Sequence, residues 1–501
     1  MSSVRVRFAP SPTGPLHIGG VRTALYNFLF ARKNKGTFIL RIEDTDQVRY
    51  VPGAEDYIIE SLNWFGLVPD EGPGFGGAYG PYRQSERKEL YQSYAEKLLE
   101  SGNAYYSFDT PEELDQQREK DSTFKYDSQS RKYLKNSLSL SPDETSQLMK
   151  TSQHIAVRLK VEPGEKIVIH DQIRGTVVFD SSELDDKVIL KADGMPTYHL
   201  ANIVDDALMQ ITHVIRGEEW LSSTAHHMLL YKYLGYTPPS FAHLPLILKP
   251  SGQGKLSKRD GATFGFPVFP LTWHGDKEIF DGFRESGFLQ EAVLNFLSLL
   301  GWNPGTDQEL FSLSDLIHAF SLDKIVKSGA RFDFDKAKWF NQQYIIQTPD
   351  EILAHIISSK VENLYGTFPT AYLSGVCKQM KERVHVVDEI ITAGRFFFED
   401  VTTYDEETII KKYKPENRIF FEKIAALISQ DISKAEENVK SFIQQEALKM
   451  GEILPVIRIA ISGSMQGPDL FQSMQLLGGE KSCQRIISAI ETFDTIVSSA
   501  K

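Results

Sequence analysis

The chain has 501 residues and a formal net charge of −12, so it is too long for one hydrophobic core and about three to five domains are expected. With 41% hydrophobic and 24% charged residues it has the makeup of a globular protein, which excludes a disordered or fibrous chain. Its two cysteines, Cys377 and Cys483, stand far apart, which excludes a disulfide framework and any cysteine-rich zinc site and suits a reducing compartment. The start, Met1 to Arg5, lacks the apolar stretch of a secretory leader. No apolar run reaches the roughly 18 residues of a membrane span. The acidic balance argues against a basic nucleic-acid arm but not against a local basic face.

Val4, Val6 and Phe8 alternate with Arg5 and Arg7 and predict a first strand. Gly14-Pro15 breaks it. Val21, Leu25, Phe28 and Leu29 then recur at helical spacing, with Gly36 as a helix stop. Thr37 to Ile42 predicts a second strand, followed by Glu43-Asp44-Thr45-Asp46. Ligands of such a strand–helix–strand unit gather at the carboxyl ends of its strands, where His17 and these carboxylates lie. After the Gly-rich segment 72–80 comes charged helical sequence from Gln84 to Gly102, then a polar stretch from Thr110 to Ser152. Ile155 to Leu159, Ile167 to Ile169 and Val177 to Phe179 predict strands of an inserted α+β module. The parallel-sheet pattern resumes around Tyr198 to Ile215, and beyond Ser312 helical periodicity dominates to the end. The fold class is therefore α/β: a split parallel-sheet core with an insertion and a helical C-terminal region.

The most informative segment is Arg7-Phe8-Ala9-Pro10-Ser11-Pro12-Thr13-Gly14-Pro15-Leu16-His17-Ile18-Gly19-Gly20. Pro12 and Gly14 shape a turn whose N–H groups can approach phosphate, and Gly19 and Gly20 open a helix against which a nucleotide can lie. His17 is placed to donate to a phosphoryl oxygen. Taken alone, His-Ile-Gly-Gly is more often a capping or buried histidine. It is answered by Lys255-Leu256-Ser257-Lys258-Arg259, between Gly254 and Gly261. A charge run is usually a solvated loop. Beside a phosphate cradle it reads instead as a lid whose ammonium groups stabilise charge on the α-phosphate. Together the two predict adenylyl transfer from ATP, with His17, Lys255 and Lys258 as the catalytic cations and donor.

The pair resembles the HIGH and KMSKS signatures of class I aminoacyl-tRNA synthetases. With Arg41-Ile42-Glu43-Asp44-Thr45-Asp46, Tyr198-His199-Leu200-Ala201-Asn202 and Arg216-Gly217-Glu218-Glu219-Trp220, the text is similar to the bacterial glutamyl-tRNA synthetase family. Gly20 replaces the second histidine of the first signature and Leu256 the methionine of the second. The resemblance implies a Rossmann-like catalytic domain in two halves (1–82 and 199–251), an acceptor-binding insertion (83–198), a lysine-loop and stem-contact domain (252–343) and a helical anticodon-binding region (344–501) of two subdomains. It implies ATP bound by Pro10, Ser11, Pro12, Thr13, Gly14, His17, Gly19, Gly20 and the run Lys255, Leu256, Ser257, Lys258 and Arg259. Mg²⁺ would travel with the nucleotide. It assigns Arg7, Ser11, Glu43, Tyr198, Asn202 and Arg216 to glutamate, with Glu43 taking the α-ammonium. Two guanidinium forks suit a carboxylate better than an amide. Which arginine meets the side-chain carboxylate stays open.

Asp46 and Arg49 are candidates for the tRNA 3′ end, and a surface ion pair is the equal alternative. Arg383 is the candidate anticodon reader, whereas Phe396, Phe397 and Phe398 are expected in the core. No structural zinc is expected, because the stretch around Tyr105 to Phe108 lacks cysteine. The implied reaction activates L-glutamate and transfers it to tRNA(Glu), with tRNA(Gln) open as a further acceptor. A cytoplasmic monomer binding neither DNA nor membrane is expected. Rival readings are a glutaminyl enzyme, a small-molecule nucleotidylyltransferase and a non-catalytic RNA-binding relative. The segment from Phe264 to Asp281 has no assignment.

Overall fold

The structure is a computed structural model that describes residues 3–275 and 279–500. The chain divides into two compact units, one of Met1–Glu285 with Val293–Phe334 and one of Ser286–Ala292 with Asp335–Lys501.

In the first unit, strand β1 (Arg5–Phe8) pairs in parallel with β2 (Thr37–Leu40), register Arg5 to Thr37 through Phe8 to Leu40. The helix Ile18–Lys33 connects them, burying Val21, Leu25, Phe28 and Leu29 against the strands. Arg7 is buried along with Val6 and Phe8, because a parallel sheet is covered on both faces. A strict in–out alternation therefore does not hold, and the buried arginine has to be ion-paired.

The insertion builds a three-stranded antiparallel sheet in the order β3 (Ala104–Ser107), β4 (Ala156–Leu159), β7 (Val188–Leu190). The other two expected strands, β5 (Lys166–Asp171) and β6 (Gly175–Asp180), do not join that module. They form a hairpin that extends the core sheet in the order β6-β5-β9-β8, where β8 is His213–Gly217 and β9 is Ser240–Leu244. The junction is a parallel pairing of Asp171 with Phe241. The polar stretch holds two helices, Pro111–Lys120 and Pro142–Thr151. Each starts at a capping box, Thr110 with Glu113 and Ser141 with Glu144, and carries proline in its first turn. Neither buries a residue, so apolar periodicity could not have found them; the caps could.

In the second unit the buried side chains gather into two apolar clusters. One runs from Ile345 to Phe398 and includes Phe396, Phe397 and Phe398, which are core residues as expected. The other runs from Ile409 to Val497. Among the described residues no helix is long and apolar enough to cross a membrane.

Candidate functional site

The turn after β1 carries Gly14 at φ +134°, a backbone conformation that a side chain would strain. Position 20 is closed differently: a Cβ there would lie 2.6 Å from Leu16 Cδ1, so this helix start has room only for glycine while Leu16 stays in place. His17 caps the helix, its Nδ1 accepting from the Gly19 N–H at 3.0 Å. The capping reading is thus correct, and it is compatible with the functional one. With Nδ1 occupied as an acceptor, the proton of the neutral ring sits on Nε2, which makes no hydrogen bond. Burial, then Lys258 and Lys255, push the His17 pKa down to about 4, against an opposing pull from the Ser257 backbone. The ring is neutral at physiological pH, with a single N–H to offer.

The lysine segment folds back over this cradle. Leu256 is its buried anchor, and its N–H donates to the Ile247 carbonyl at 2.8 Å. Asp260 fastens the next turn by accepting from the Ser257 N–H (2.6 Å) and hydroxyl (2.7 Å) and by pairing with Lys249 at 3.0 Å. Lys258 Nζ reaches to 3.0 Å from where a Cβ on Gly14 would stand. No carboxylate pairs with it among the described residues, and desolvation lowers its pKa. Lys255, by contrast, is paired with Glu219 at 2.6 Å. Arg259 starts the short helix Asp260–Phe264 and does not line the cavity.

Cradle and lysine loop face one cavity of about 1060 Å³. Ser11, Thr13, His17, Gly19, Gly20, Lys255, Leu256, Ser257 and Lys258 line it, as do Arg7, Glu43, Tyr198 and Arg216. Pro10 and Pro12 stand behind the wall, their carbonyls accepting from the N–H groups of Glu43 and Val51, both at 3.0 Å.

Three arginines belong to the same region, Arg7 and Arg216 on the cavity wall and Arg41 buried behind it, in different electrostatic conditions. Arg7 is clamped by Asp206, with Nε at 3.0 Å from Oδ1 and Nη2 at 3.2 Å from Oδ2. Arg41, fully buried, pairs with Asp206 at 2.7 Å and with Glu43 at 3.0 Å. Burial raises the Glu43 pKa, with Arg41 and Arg7 pulling against it. Burial acts the same way on Asp206, but there Arg7 and Arg41 win and hold the carboxyl below its ordinary range. Asn202 does not line the cavity. Its Oδ1 accepts from Arg7 (3.2 Å) and Arg41 (3.0 Å), and its Nδ2 donates to the Tyr198 hydroxyl at 3.0 Å. Arg216 differs from the other two. Its described partners are all neutral: Tyr198 (2.8 Å), Thr224 (2.8 Å), His243 (3.1 Å), His227 (3.2 Å) and, more distantly, the Trp220 carbonyl.

Residues 3–339 match the family model of the class I tRNA synthetase (E and Q) catalytic domain, and residues 351–490 match an anticodon binding domain. The glutamate–tRNA ligase of Parabacteroides distasonis is 52% identical over 498 residues, covering 97% of this chain and 98% of its own length. That of Christiangramia forsetii is 52% identical over 501 residues, 98% and 99% of the two chains. Among solved structures, a glutamate tRNA ligase from Elizabethkingia meningosepticum in complex with its amino acid superposes with a TM-score of 0.94 at 46% identity, covering 98% of this chain and all of its own. The chain belongs to the glutamate–tRNA ligase family.

Two residues of this ligase site escaped the sequence reading. Arg41 opens a quoted motif but drew no role, and Asp206 went unnoticed although Tyr198, Asn202 and Asp206 recur every four positions on the helix Tyr198–Leu208. That spacing was the available signal. Asp46 and Arg49 form an exposed ion pair at 2.6 Å, and both side chains stand at the edge of the ligase's cavity. Arg383 is exposed and makes no ion pair among the described residues. Among those residues no group of His, Cys, Asp or Glu side chains is arranged to hold a metal. Residues 276–278, within the unassigned segment after the lysine loop, lie outside the described residues.

Proposed function

We propose that this ligase activates L-glutamate inside the cavity and that Arg216 receives the side-chain carboxylate. The observation that carries the assignment is charge balance. Arg7 and Arg41 are offset by Asp206 and Glu43 in direct contact, whereas Arg216 touches neutral partners only, the Asp171 carboxylate standing one imidazole behind it. A zwitterionic α-amino acid with one extra carboxylate complements that guanidinium, and a neutral amide does not. Glu43, at the cavity wall between Arg7 and Arg41, takes the α-ammonium, and Ser11 lies on the nucleotide side.

In the first step an oxygen of the glutamate α-carboxylate attacks the α-phosphorus of ATP. The bond to the bridging oxygen breaks, and pyrophosphate leaves with the electron pair and its Mg²⁺. The protein's part is positioning and positive charge. His17 Nε2–H donates to a phosphoryl oxygen, Lys258 faces the α-phosphate across Gly14, and Lys255 exchanges Glu219 for phosphate. In the second step a hydroxyl of the terminal tRNA ribose attacks the acyl carbon, the bond from that carbon to the phosphate oxygen breaks, and AMP leaves with the electron pair while the hydroxyl proton passes to its phosphate or to water. The chemistry asks for no metal beyond the nucleotide's own, and no structural zinc is proposed. The domain plan is a proposal, with the insertion taking the acceptor end, except for its hairpin 166–180, which belongs to the core sheet, and with 344–501 taking the anticodon; a cytoplasmic monomer is proposed too.

Transfer of radiolabelled glutamate, but not glutamine, to tRNA(Glu) tests the reading, and purified tRNA(Gln) tests the breadth of the acceptor. Pyrophosphate exchange is expected to depend on tRNA; equal exchange without it removes that part of the proposal. Arg49→Ala is expected to leave the melting temperature unchanged, because an exposed pair contributes about 0–1 kcal/mol. The same substitution should weaken tRNA binding and reduce the salt dependence of binding by about one phosphate contact. Unaltered tRNA affinity across a salt series would leave Asp46 and Arg49 as a surface pair only.

A further inference from the structure

Behind Arg216 lies a layer that no recognised motif contains. Three adjacent parallel strands each contribute one side chain: Asp171 ends β5, His243 is on β9, and Arg216 is the register partner of His243 on β8. The Asp171 and His243 side chains are completely buried, with Oδ2 and Nδ1 2.6 Å apart. The other face of the chain of contacts is the 3.1 Å hydrogen bond from Arg216 Nε to His243 Nε2.

These partners dictate where the imidazole proton sits. Asp171 accepts from the backbone N–H groups of Arg174 (2.8 Å), Ile173 (3.0 Å) and His243 (3.1 Å). Burial opposes its ionisation, but His243 and those N–H groups hold its pKa below the ordinary range. An ionised carboxylate only accepts, so His243 Nδ1 carries the proton. A guanidinium only donates, so Nε2 must be bare. Burial, helped by Arg216, keeps the imidazole pKa below its usual value against the pull of Asp171, which is what the bare Nε2 requires. The ring is also stacked on Phe241, with centroids 6.1 Å apart and 12° between the planes.

We propose that Asp171 and His243 are positioning residues for amino-acid selection: Asp171 sets the His243 tautomer, and His243 sets the orientation of the Arg216 fork. Nε is committed to His243, Nη2 to Thr224 and His227, and Nη1 to Tyr198, which leaves the remaining Nη1 hydrogen for the substrate. Every one of these acceptors is neutral, so the fork is held still without losing its charge. A rigid guanidinium that keeps its full charge rewards a carboxylate, whereas a neutral amide, whose oxygen can also accept from that one hydrogen, forgoes the charge–charge attraction. The inference rests on the reading that Arg216 receives the side-chain carboxylate.

Asp171→Asn is the informative variant. The Ile173 and Arg174 N–H groups both donate to Oδ1, so the amide oxygen takes that place and the amide NH₂ takes the place of Oδ2, facing His243 Nδ1. The ring must then protonate Nε2 and confront Arg216 Nε with a second donor. Glutamate KM is expected to rise about tenfold or more, the effect of leaving one buried charged donor unpaired. The ATP KM should stay within about twofold, and the preference for glutamate over glutamine in kcat/KM should fall. In the Asp171→Asn background, His243→Gln should recover part of the glutamate KM, because a glutamine oxygen accepts from Arg216 without any tautomer to set. A merely structural role for Asp171 would give no such recovery.

Should Asp171→Asn fail to fold, the pair His243→Phe and His243→Gln decides. Phe keeps the ring on Phe241 but has no acceptor, so it should lose glutamate preference while Gln retains it. Glutamate KM and preference unchanged in Asp171→Asn, or equal in the two His243 variants, while Arg216→Ala abolishes glutamate use, overturn the positioning proposal. Unchanged glutamate use in Arg216→Ala itself overturns the underlying assignment instead.

Discussion

Lys258→Ala should slow glutamyl-adenylate formation by about 10²- to 10³-fold, the usual result of removing one preorganised charge from a developing oxyanion. The neighbouring Lys255 has its own task in the proposed step, leaving Glu219, with which it pairs at 2.6 Å, for phosphate. Lys258 has no such partner among the described residues, and its ammonium lies over the Gly14 turn. The negative charge on the α-phosphoryl oxygens and the departing pyrophosphate builds up further in the transition state, so kcat should fall more than KM for ATP rises, while affinity for tRNA changes little. Single-turnover adenylate formation in the presence of tRNA, with a parallel tRNA binding titration, measures both quantities. A loss confined to tRNA affinity would assign this lysine to the acceptor stem rather than to the chemistry.

Arg216→Ala should reduce kcat/KM for glutamate by about 10³-fold, since the buried substrate carboxylate would lose its charged partner. ATP binding should be spared, because the partners of the guanidinium are Tyr198, Thr224, His227 and His243, none of which belongs to the His17 cradle. The comparison with Arg7 sharpens the test. Arg7 is held by Asp206 through two hydrogen bonds and shares that carboxylate with Arg41. Removing Arg7 leaves a buried charge with fewer partners, so its first effect should be on folding, on the order of 3–5 kcal/mol. Arg216→Ala disturbs only neutral acceptors, and its melting temperature should move far less. Thermal melts of the two variants beside their glutamate kinetics separate a substrate-binding arginine from a structural one. Intact glutamate turnover in Arg216→Ala rejects the assignment.

How much of this was legible beforehand differs from residue to residue. The strand, turn and helix start from Arg7 to Gly20 could be read directly, as could the lysine run. Their geometry is local: proline and glycine restrict the backbone where they stand, and the helix N-terminus follows from contiguous residues. The meeting of the two segments followed from the chemistry of phosphate, which needs both a cradle and a countercharge. The two helices of the insertion were signalled by Thr110-Pro111 and Ser141-Pro142, but a search for apolar stripes passes over helices that bury nothing.

Charge compensation was not legible. By residue type and motif membership Arg7 and Arg216 looked equivalent, yet one is neutralised by Asp206 and the other is cradled by two hydroxyls and two imidazoles. Asp171 came from a hairpin that looked like part of the insertion, and His243 from a strand with no motif. The amino acid order thus determined the catalytic core, its nucleotide turn and the family. The three-dimensional packing alone decided which arginine is held by a carboxylate and which by neutral partners. The reason is physical: backbone conformation is set by near neighbours in sequence, whereas the effective charge of a buried group is set by whatever the fold brings within a few ångströms of it.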